Sequence, residues 1–166
     1  MQRGIFIVIE GIDGAGKGTT MMRLQEYIMG RSKKYDHVLL TREPTYGPIG
    51  SKARELEKSE ADPYKNAKLC LQLYTQDRKW HGEEHIEPAL EKGYVVLCDR
   101  HKHSTYAFQQ VQGISLEEIH AEHDGIVVPD LTIILDLDVE LALSRMNLGN
   151  RGGSKAGEKF EKKEFM

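Results

Sequence analysis

Short apolar runs recur along the chain and alternate with segments of helical periodicity. The runs cover Ile5–Ile9, His37–Thr41, Tyr94–Cys98 and Leu131–Leu137. Runs that are apolar at nearly every position predict strands buried on both faces, which is typical of parallel sheets. We therefore predict an α/β fold in which a parallel sheet of four strands is covered by helices on both faces.

The segments between these runs have the spacing of amphipathic helices. Thr19–Met29 places its apolar residues on one face and ends at Gly30, a residue that commonly terminates helices. The same spacing predicts two helices between the second and third strands and two more before the fourth, at Pro63–Trp80, Glu84–Lys92, Ser104–Gln112 and Ser115–His123.

A glycine-rich segment, Gly11–Thr19, joins the first strand to the first helix and reads GIDGAGKGT. This order favours a phosphate-binding loop, because its backbone N–H groups turn inward and the Lys17 ammonium reaches the β and γ oxygens of a nucleoside triphosphate. A glycine-rich turn without a ligand is the alternative. Gly18 stands where the motif has serine or threonine, so the pattern does not fix a magnesium ligand. The residues expected at the nucleotide are Gly11, Asp13, Gly14, Ala15, Gly16, Lys17, Gly18 and Thr19.

Length and charge restrict the class of ligand. The 166 residues fit a single domain with a substantial core. The net charge is −3, and the 30% of charged residues include both signs, so the chain lacks the basic field that holds polymeric nucleic acid. A small charged substrate is the better prediction.

The two cysteines and the absence of a long apolar stretch indicate the compartment. Cys70 and Cys98 lie in apolar segments and form no CxxC pair, which predicts buried thiols in a reducing environment. No stretch approaches the ~20 apolar residues of a membrane span. We expect a cytoplasmic protein without membrane association.

Polar residues follow several of the predicted strands, where ligands of parallel sheets gather. Asp99 follows the third strand. Because hard cations prefer carboxylate oxygens, we predict that Asp99 holds Mg²⁺, directly or through water. The alternative is that Asp99 caps a helix. Arg100 offers a planar fork that matches a phosphate. The pair predicts an acceptor that itself carries a phosphate.

The ordered set of motifs resembles the thymidylate kinases, a family of P-loop nucleoside monophosphate kinases. A glycine-rich loop alone is shared by many NTPases, but the complete set is specific and spans nearly the whole chain. The matching positions are Ile9–Lys17, Thr41–Pro44, Gly47–Gly50 with Arg54, Asp77–Arg78 with His81, Asp99–Arg100, Ser104–Gln109, Pro129–Thr132 and Glu158–Glu161.

The resemblance implies a P-loop NTPase-type sheet and transfer of the γ-phosphoryl group of ATP, with Mg²⁺, to dTMP. It implies that Arg100 holds the monophosphate, that Asp99 and Asp13 serve the magnesium ion, and that the protein forms a homodimer. Asp13 would also lie near the sugar hydroxyl. Further substrate-binding residues implied by the resemblance are Arg42, Glu43, Pro44, Tyr46, Tyr74, Arg78, Ser104, Thr105 and Phe108.

Some of these residues have structural alternatives. The resemblance implies that Tyr74 stacks on the thymine ring and that Arg78 reaches a base carbonyl; the i, i+4 spacing places both on one helix face. Core packing is the alternative for Tyr74, and a surface ion pair with Asp77 or Glu84 is the alternative for Arg78. Arg42 fits either a phosphate contact or a structural salt bridge.

A glycine-rich tract, Gly149–Gly157, is expected to form a mobile lid at about 149–158. Ala15 leaves the phosphate loop without a basic residue before Gly16, and the resemblance implies that the lid then supplies the extra cation. Arg151 is the favoured residue, with Lys155 and Arg145 also available. Solvated loop charge is the alternative.

The chain also departs from the family. His101 stands where tyrosine is common, and Thr45 and Tyr46 stand where many members have two glycines. We expect a single domain over residues 1–166 that is truncated at its C-terminus relative to the family and lacks a fifth strand. Two alternatives follow: a nucleotide-binding module without turnover, and a kinase for another pyrimidine nucleotide.

Overall fold

A computed structural model describes residues 2–32, 34–59, 62 and 64–148. Within this part of the chain the strands are β1 (Ile5–Glu10), β2 (Val38–Arg42), β3 (Val95–Asp99) and β4 (Leu131–Ile134). The helices are α1 (Lys17–Arg31), α2 (Pro48–Ser59), α3 (Ala67–His81), α4 (Glu87–Glu91), α5 (Lys102–Val111), α6 (Leu116–Glu122) and α7 (Val139–Leu148). A π-helical turn, Gly82–Ile86, joins α3 to α4.

The strands form one parallel sheet in the order β2-β3-β1-β4. The register aligns Ile9 of β1 with Asp99 of β3, and Asp99 with Arg42 of β2. The predicted parallel sheet of four strands is therefore confirmed. Because the strands are parallel, their carboxyl ends share one edge, and that edge carries the polar residues singled out above.

Alternate strand residues face two different helical layers. One layer of the core contains Phe6, Val8, Val96 and Cys98 packed with Ile86 and Leu90. The other contains Ile9, Val95 and Leu97 packed with Met21, Leu24 and Ile28 of α1. The prediction of helices on both faces is confirmed.

The larger differences from the prediction are one additional helix, one shorter strand and one pair of joined helices, whereas most other elements shift by one or a few residues at an end. Helix α2 was not predicted, because Pro48 and Gly50 are typical of loops; Pro48 instead occupies the first helical position, where its missing N–H costs nothing. Strand β4 ends at Ile134 rather than Leu137, because its partner β1 ends at Glu10. The helices predicted at Pro63–Trp80 and Glu84–Lys92 form one continuous run through the π-helical turn.

No helix in the described ranges combines the length and the apolar character needed to cross a bilayer.

Candidate functional site

The phosphate loop lies between β1 and α1, as its sequence predicts. Gly11, Gly14 and Gly16 have φ values of 145°, 83° and 95°, a region that glycine enters without steric cost. A Cβ atom on Gly14 would lie 2.7 Å from the carbonyl oxygen of Ala142. By contrast, a Cβ on Gly16 or Gly18 would meet no atom within 4 Å. The loop is closed beneath by α7 and open where α1 begins.

Lys17 is folded back into this loop and is only 7% exposed. Its Nζ donates to the carbonyl oxygens of Gly11 (2.9 Å) and Ile12 (3.1 Å) and to Oδ1 of Asp13 (3.2 Å). Burial and the nearby Arg100 lower the pKa of Lys17, while Asp13 and Asp99 oppose that shift. The ammonium is thus held at the start of α1 by the loop itself.

Arg100 connects the loop to the other half of the site. Its Nη2 donates to Oδ1 of Asp13 at 2.8 Å. Burial raises the pKa of Asp13, but Arg100 and Lys17 outweigh that effect and leave the pKa below its usual value. The carboxylate is therefore ionised and shared between two cations. Arg100 also adopts φ 71°, a left-handed conformation that is uncommon outside glycine.

Glu10 was not predicted as a site residue, yet it is 4% exposed at the end of β1. Its carboxylate accepts hydrogen bonds from the backbone N–H groups of His101 and Ser104 and from the Ser104 hydroxyl. A carboxylate directly after an apolar run is the signal that identified Asp99, and the same signal could have identified Glu10.

Asp99 lies at the end of β3, between β1 and β2. In the described part of the chain its Oδ1 is buried and has no hydrogen-bond partner. Buried carboxylate oxygens normally have partners, so an unpaired one beside a phosphate loop suits a bound cation. Its role as a magnesium ligand stays a prediction.

Glu43 lies inside the protein, between β2 and α3. One carboxylate oxygen accepts from Nε of Arg78 at 2.6 Å, and the other is 3.0 Å from Nδ1 of His81. Burial alone would raise the pKa of Glu43, but Arg78 and the neighbouring histidines lower it to about 2. The surface ion pair considered for Arg78 is wrong, because the guanidinium is buried against Glu43.

The remaining partners of Arg78 come from α5 and the end of α6. Its Nη2 donates to the Thr105 hydroxyl at 3.2 Å, and its Nη1 lies 2.5 Å from Nε2 of His123. Nδ1 of His123 lies 2.6 Å from the carbonyl oxygen of Ile119, to which it donates. Burial and Arg78 lower the pKa of His123 to about 4, so the ring is neutral and its Nε2 accepts. Of the five guanidinium N–H donors, these contacts use three.

Tyr74 lies in the packed layer between α2 and α3 and is 9% exposed. Its ring packs with Ala53 and Cys70, and its hydroxyl donates to Glu57. Burial and Glu57 raise the pKa of Tyr74. This placement is the core-packing alternative; stacking on a base stays a prediction.

The loop after β2 is shaped by Asp77, which was not predicted as a site residue. Its carboxylate accepts from the backbone N–H (2.7 Å) and the hydroxyl (2.6 Å) of Thr45. Arg54 donates to the carbonyl oxygen of Pro44 and lies 4.6 Å from the ring centre of Tyr46, which is 72% exposed. Asp77 and Arg54 thus hold the segment that presents Pro44 and Tyr46.

The other predicted residues occupy different positions around Arg100. The Ser104 hydroxyl accepts a hydrogen bond from Nη1 of Arg100 at 2.9 Å. The ring centre of Phe108 lies 5.8 Å from the guanidinium of Arg100. Thr105 faces Arg78 instead. Arg42 is exposed, and within the described residues its side chain makes no hydrogen bond or ion pair. Thr19 is exposed on the first turn of α1.

Arg151, Lys155 and the predicted lid at 149–158 lie outside the described residues. Arg145 of α7 is described, and its Nη1 donates to the carbonyl oxygen of Gly14 at 3.2 Å. Arg145 is therefore a described cation that, like Lys17, contacts the phosphate loop.

Glu43, His81 and Cys98 place possible metal ligands within 4.8 Å of one another. However, Glu43 is already paired with Arg78, and Nε2 of His81 is 2.7 Å from the Thr41 hydroxyl. Burial and Glu43 raise the pKa of the Cys98 thiol, which disfavours the thiolate that binds metals. The arrangement is that of a hydrogen-bonded cluster.

Comparisons with known proteins agree with this geometry. The family model "Thymidylate kinase" matches residues 9–166. A protein of Pyrobaculum aerophilum named "Probable thymidylate kinase" is 38% identical over 163 residues, which cover 97% of this chain and 77% of the relative. A "Thymidylate kinase" of Pseudomonas fluorescens is 42% identical over 153 residues, which cover 89% of this chain and 71% of the relative.

A solved structure is similar as well. The crystal structure of thymidylate kinase from Ehrlichia chaffeensis superposes with a TM-score of 0.71 at 33% sequence identity. The match covers 86% of this chain and 76% of that one. The similarity thus extends over most of this chain.

Proposed function

The chain belongs to the thymidylate kinase family, and from that membership we propose that it transfers the γ-phosphoryl group of ATP to dTMP, giving dTDP and ADP. The observation that carries the proposal is the 2.8 Å contact between Arg100 and Asp13, which joins the arginine expected to bind the acceptor phosphate to the phosphate loop. A donor and an acceptor phosphate would meet there. The relatives do not favour a module without turnover.

The donor nucleotide would bind along Gly11–Thr19. Gly16 and Gly18 leave open space above the start of α1, whose N–H groups and dipole attract phosphate oxygens. Lys17 would exchange its contacts with the Gly11 and Ile12 carbonyls for phosphate oxygens. Thr19 would serve the same phosphates from the exposed first turn of α1.

The carboxylates at this edge fit a magnesium ion. Asp99 contributes a buried oxygen that has no partner among the described residues, and Asp13 contributes an ionised carboxylate. We assign these two residues to hold Mg²⁺, directly or through water. When bound, the ion would offset negative charge on the phosphates.

The acceptor would be recognised at two ends. Arg100 would bind the monophosphate, supported by Arg42 and the loop that carries Pro44 and Tyr46. Arg78 would use the two guanidinium N–H groups that Glu43, His123 and Thr105 leave free to reach a carbonyl of the pyrimidine. Ser104 and Thr105 would contact the base edge, and Phe108 would pack beneath the deoxyribose.

Catalysis would depend on position and charge, because phosphoryl transfer needs little covalent participation from the protein. Lys17 and Arg100 would stabilise the migrating group between them. Arg151 of the lid would add a further cation.

We further propose that residues 1–166 form one catalytic domain and that two copies of the chain form a homodimer. Light scattering would detect the homodimer as twice the mass of the monomer.

The decisive experiment measures ADP release with ATP and Mg²⁺ in the presence of dTMP, dUMP, dCMP, AMP or thymidine, assayed in parallel. We expect a signal that is selective for dTMP. Equal rates with thymidine would refute a phosphorylated acceptor. Binding of dTMP without any turnover would refute the kinase activity.

A further inference from the structure

Glu10 is a buried carboxylate at the point where the phosphate loop meets the acceptor side. Its Oε1 accepts the N–H groups of His101 (2.8 Å) and Ser104 (3.2 Å), and its Oε2 accepts the Ser104 hydroxyl at 2.7 Å. It is the last residue of β1, directly before Gly11. The side chain therefore joins the strand that carries the phosphate loop to the start of α5.

Helix α5 has no capping side chain of its own. His101 occupies the position before the helix and makes no side-chain cap, and the first turn contains no acidic residue. The first N–H groups of a helix need acceptors, and negative charge there is favourable. Glu10 meets both needs from a different element, so the start of α5 is fixed relative to β1.

The same carboxylate orients Ser104. Because the Ser104 hydroxyl donates its proton to Glu10, its oxygen lone pairs remain available to Nη1 of Arg100 at 2.9 Å. Nη2 of Arg100 then reaches Asp13 at 2.8 Å. A chain of contacts thus runs from Glu10 through Ser104 and Arg100 to the phosphate loop.

Arg100 also depends on its surroundings for its backbone conformation. A non-glycine residue at φ 71° is strained, and such conformations persist where neighbouring contacts determine them. The N–H of Arg100 donates to the carbonyl oxygen of Ile9, and the next N–H, that of His101, donates to Glu10. Both partners belong to the end of β1.

We propose that Glu10 is a positioning residue for the acceptor phosphate. Its carboxylate fixes Arg100 through Ser104 and through the start of α5, and it contacts neither substrate. This inference rests on the proposed function, in which Arg100 binds the monophosphate of dTMP. Glu10 acts on that affinity more than on the affinity for ATP, because two of the three contacts of Lys17 are to loop carbonyl oxygens that Arg100 does not touch.

The test compares Glu10→Ala with Glu10→Gln. The alanine variant leaves two N–H groups and a hydroxyl without acceptors, so the KM for dTMP should rise by about tenfold, with the KM for ATP within about twofold. The glutamine oxygen can still accept both N–H groups. Its amide NH2 group, however, cannot accept the proton of the Ser104 hydroxyl. The KM for dTMP of this variant should therefore lie between those of the wild type and Glu10→Ala.

Asp130 provides a matched control. Its carboxylate accepts the backbone N–H of Phe6 at 2.7 Å, so it also caps β1, but at the far end from the site. Asp130→Ala should lower Tm and leave the KM for dTMP unchanged. If Asp130→Ala raised that KM as much as Glu10→Ala does, the effect would be one of general stability and the proposal would fail.

A double-mutant cycle with Ser104→Ala tests the route. If Glu10 acts through Ser104, Glu10→Ala should raise the KM for dTMP less in the Ser104→Ala background than alone.

Calorimetric measurement of dTMP binding separates the role of Glu10 from the proposed kinase function. A wild-type chain that binds dTMP without turnover overturns the proposed function only. Glu10→Ala binding dTMP as tightly as the wild type overturns the role of Glu10.

Discussion

Formal cations and carboxylates are nearly balanced in the described part of the site. Lys17, Arg78 and Arg100 are the cations, and the carboxylates are Glu10, Asp13, Glu43 and Asp99. Arg42 and Arg145 are exposed beside this set and bring the cations to five against four carboxylates. This near balance leaves little positive charge to offset a triphosphate and a monophosphate, which is consistent with the proposed roles of Mg²⁺ and Arg151.

Arg100 is expected to determine acceptor affinity. Replacing it with alanine removes the donors that reach Ser104 and Asp13 and would remove those that bind the monophosphate. The KM for dTMP should rise about 10- to 100-fold, while ATP binding changes little. Separate titrations of the two nucleotides would check this; equal losses for both would contradict the assignment.

Lys17 is expected to be essential for turnover. Lys17→Ala removes the ammonium at the start of α1, and we expect the rate of ADP release to fall by about 100-fold or more. The side chain lies over the loop and contributes little to the core, so circular dichroism should show an intact fold. A variant that keeps its rate would show that Gly11–Thr19 is not the phosphate site.

At the level of elements, the first turn of α2 lies against the loop after β2. A Cβ on Gly50 would lie 2.7 Å from the backbone nitrogen of Thr45 and 2.8 Å from Oδ1 of Asp77. Gly50→Ala should therefore displace this loop, lower the free energy of unfolding by about 2 kcal/mol and raise the KM for dTMP. Urea unfolding and steady-state kinetics would measure the two effects.

Gly30 offers the matched control for that variant. It lies in the last turn of α1, and a Cβ there would meet no atom within 4 Å. Gly30→Ala should raise the free energy of unfolding by about 0.5–1 kcal/mol, because alanine loses less entropy in a helix. Stabilisation by both substitutions would show that helix propensity, rather than close approach, governs Gly50.

The sequence predicted the elements where one signal dominated. The apolar runs located all the described strands, because burial on both faces leaves few polar positions. Helix α2 was missed because its proline and glycine are loop-like in isolation; their helical role depends on contacts with Thr45 and α3. The early end of β4 was likewise set by the length of its partner.

The sequence likewise predicted the site residues that belong to local motifs and missed those that depend on partners distant in the chain. Lys17, Asp13 and Arg100 belong to local motifs, and the structure brings them together. Asp77 and His123 were missed because their partners lie 32 and 45 residues away in sequence, at Thr45 and Arg78. Local spacing placed Tyr74 beside Arg78 on α3 but could not show that α2 covers its ring.

For the molecule as a whole, stability should fall in mild acid. Burial and Arg78 lower the pKa of His123 from its usual 6.5 to about 4. At pH values between about 4 and 6.5, His123 binds a proton in the unfolded chain but not in the folded one. The free energy of unfolding should therefore fall with decreasing pH, by about 1.4 kcal/mol per pH unit from this group alone.

His123→Gln tests this origin. The amide oxygen can replace Nε2 as the acceptor for Arg78, and the amide does not titrate. His123 also faces the ring of Tyr106, stacked at 5.3 Å, and senses the charges of Glu43 and Lys102. Urea unfolding at several pH values from 4 to 7 should give a shallower slope for the variant. An unchanged slope would assign the acid sensitivity to other groups.

At Arg100, the residue that suits the left-handed backbone and the residue that suits phosphate binding are different, so thermal stability and activity favour different side chains. Glycine would relax the φ of 71° at that position, whereas alanine would keep the strain, and both would lose the guanidinium. Arg100→Gly should therefore unfold at a higher temperature than Arg100→Ala while being equally poor at retaining dTMP. Between these two variants, a selection for thermal resistance would favour the glycine, although neither would bind the acceptor phosphate.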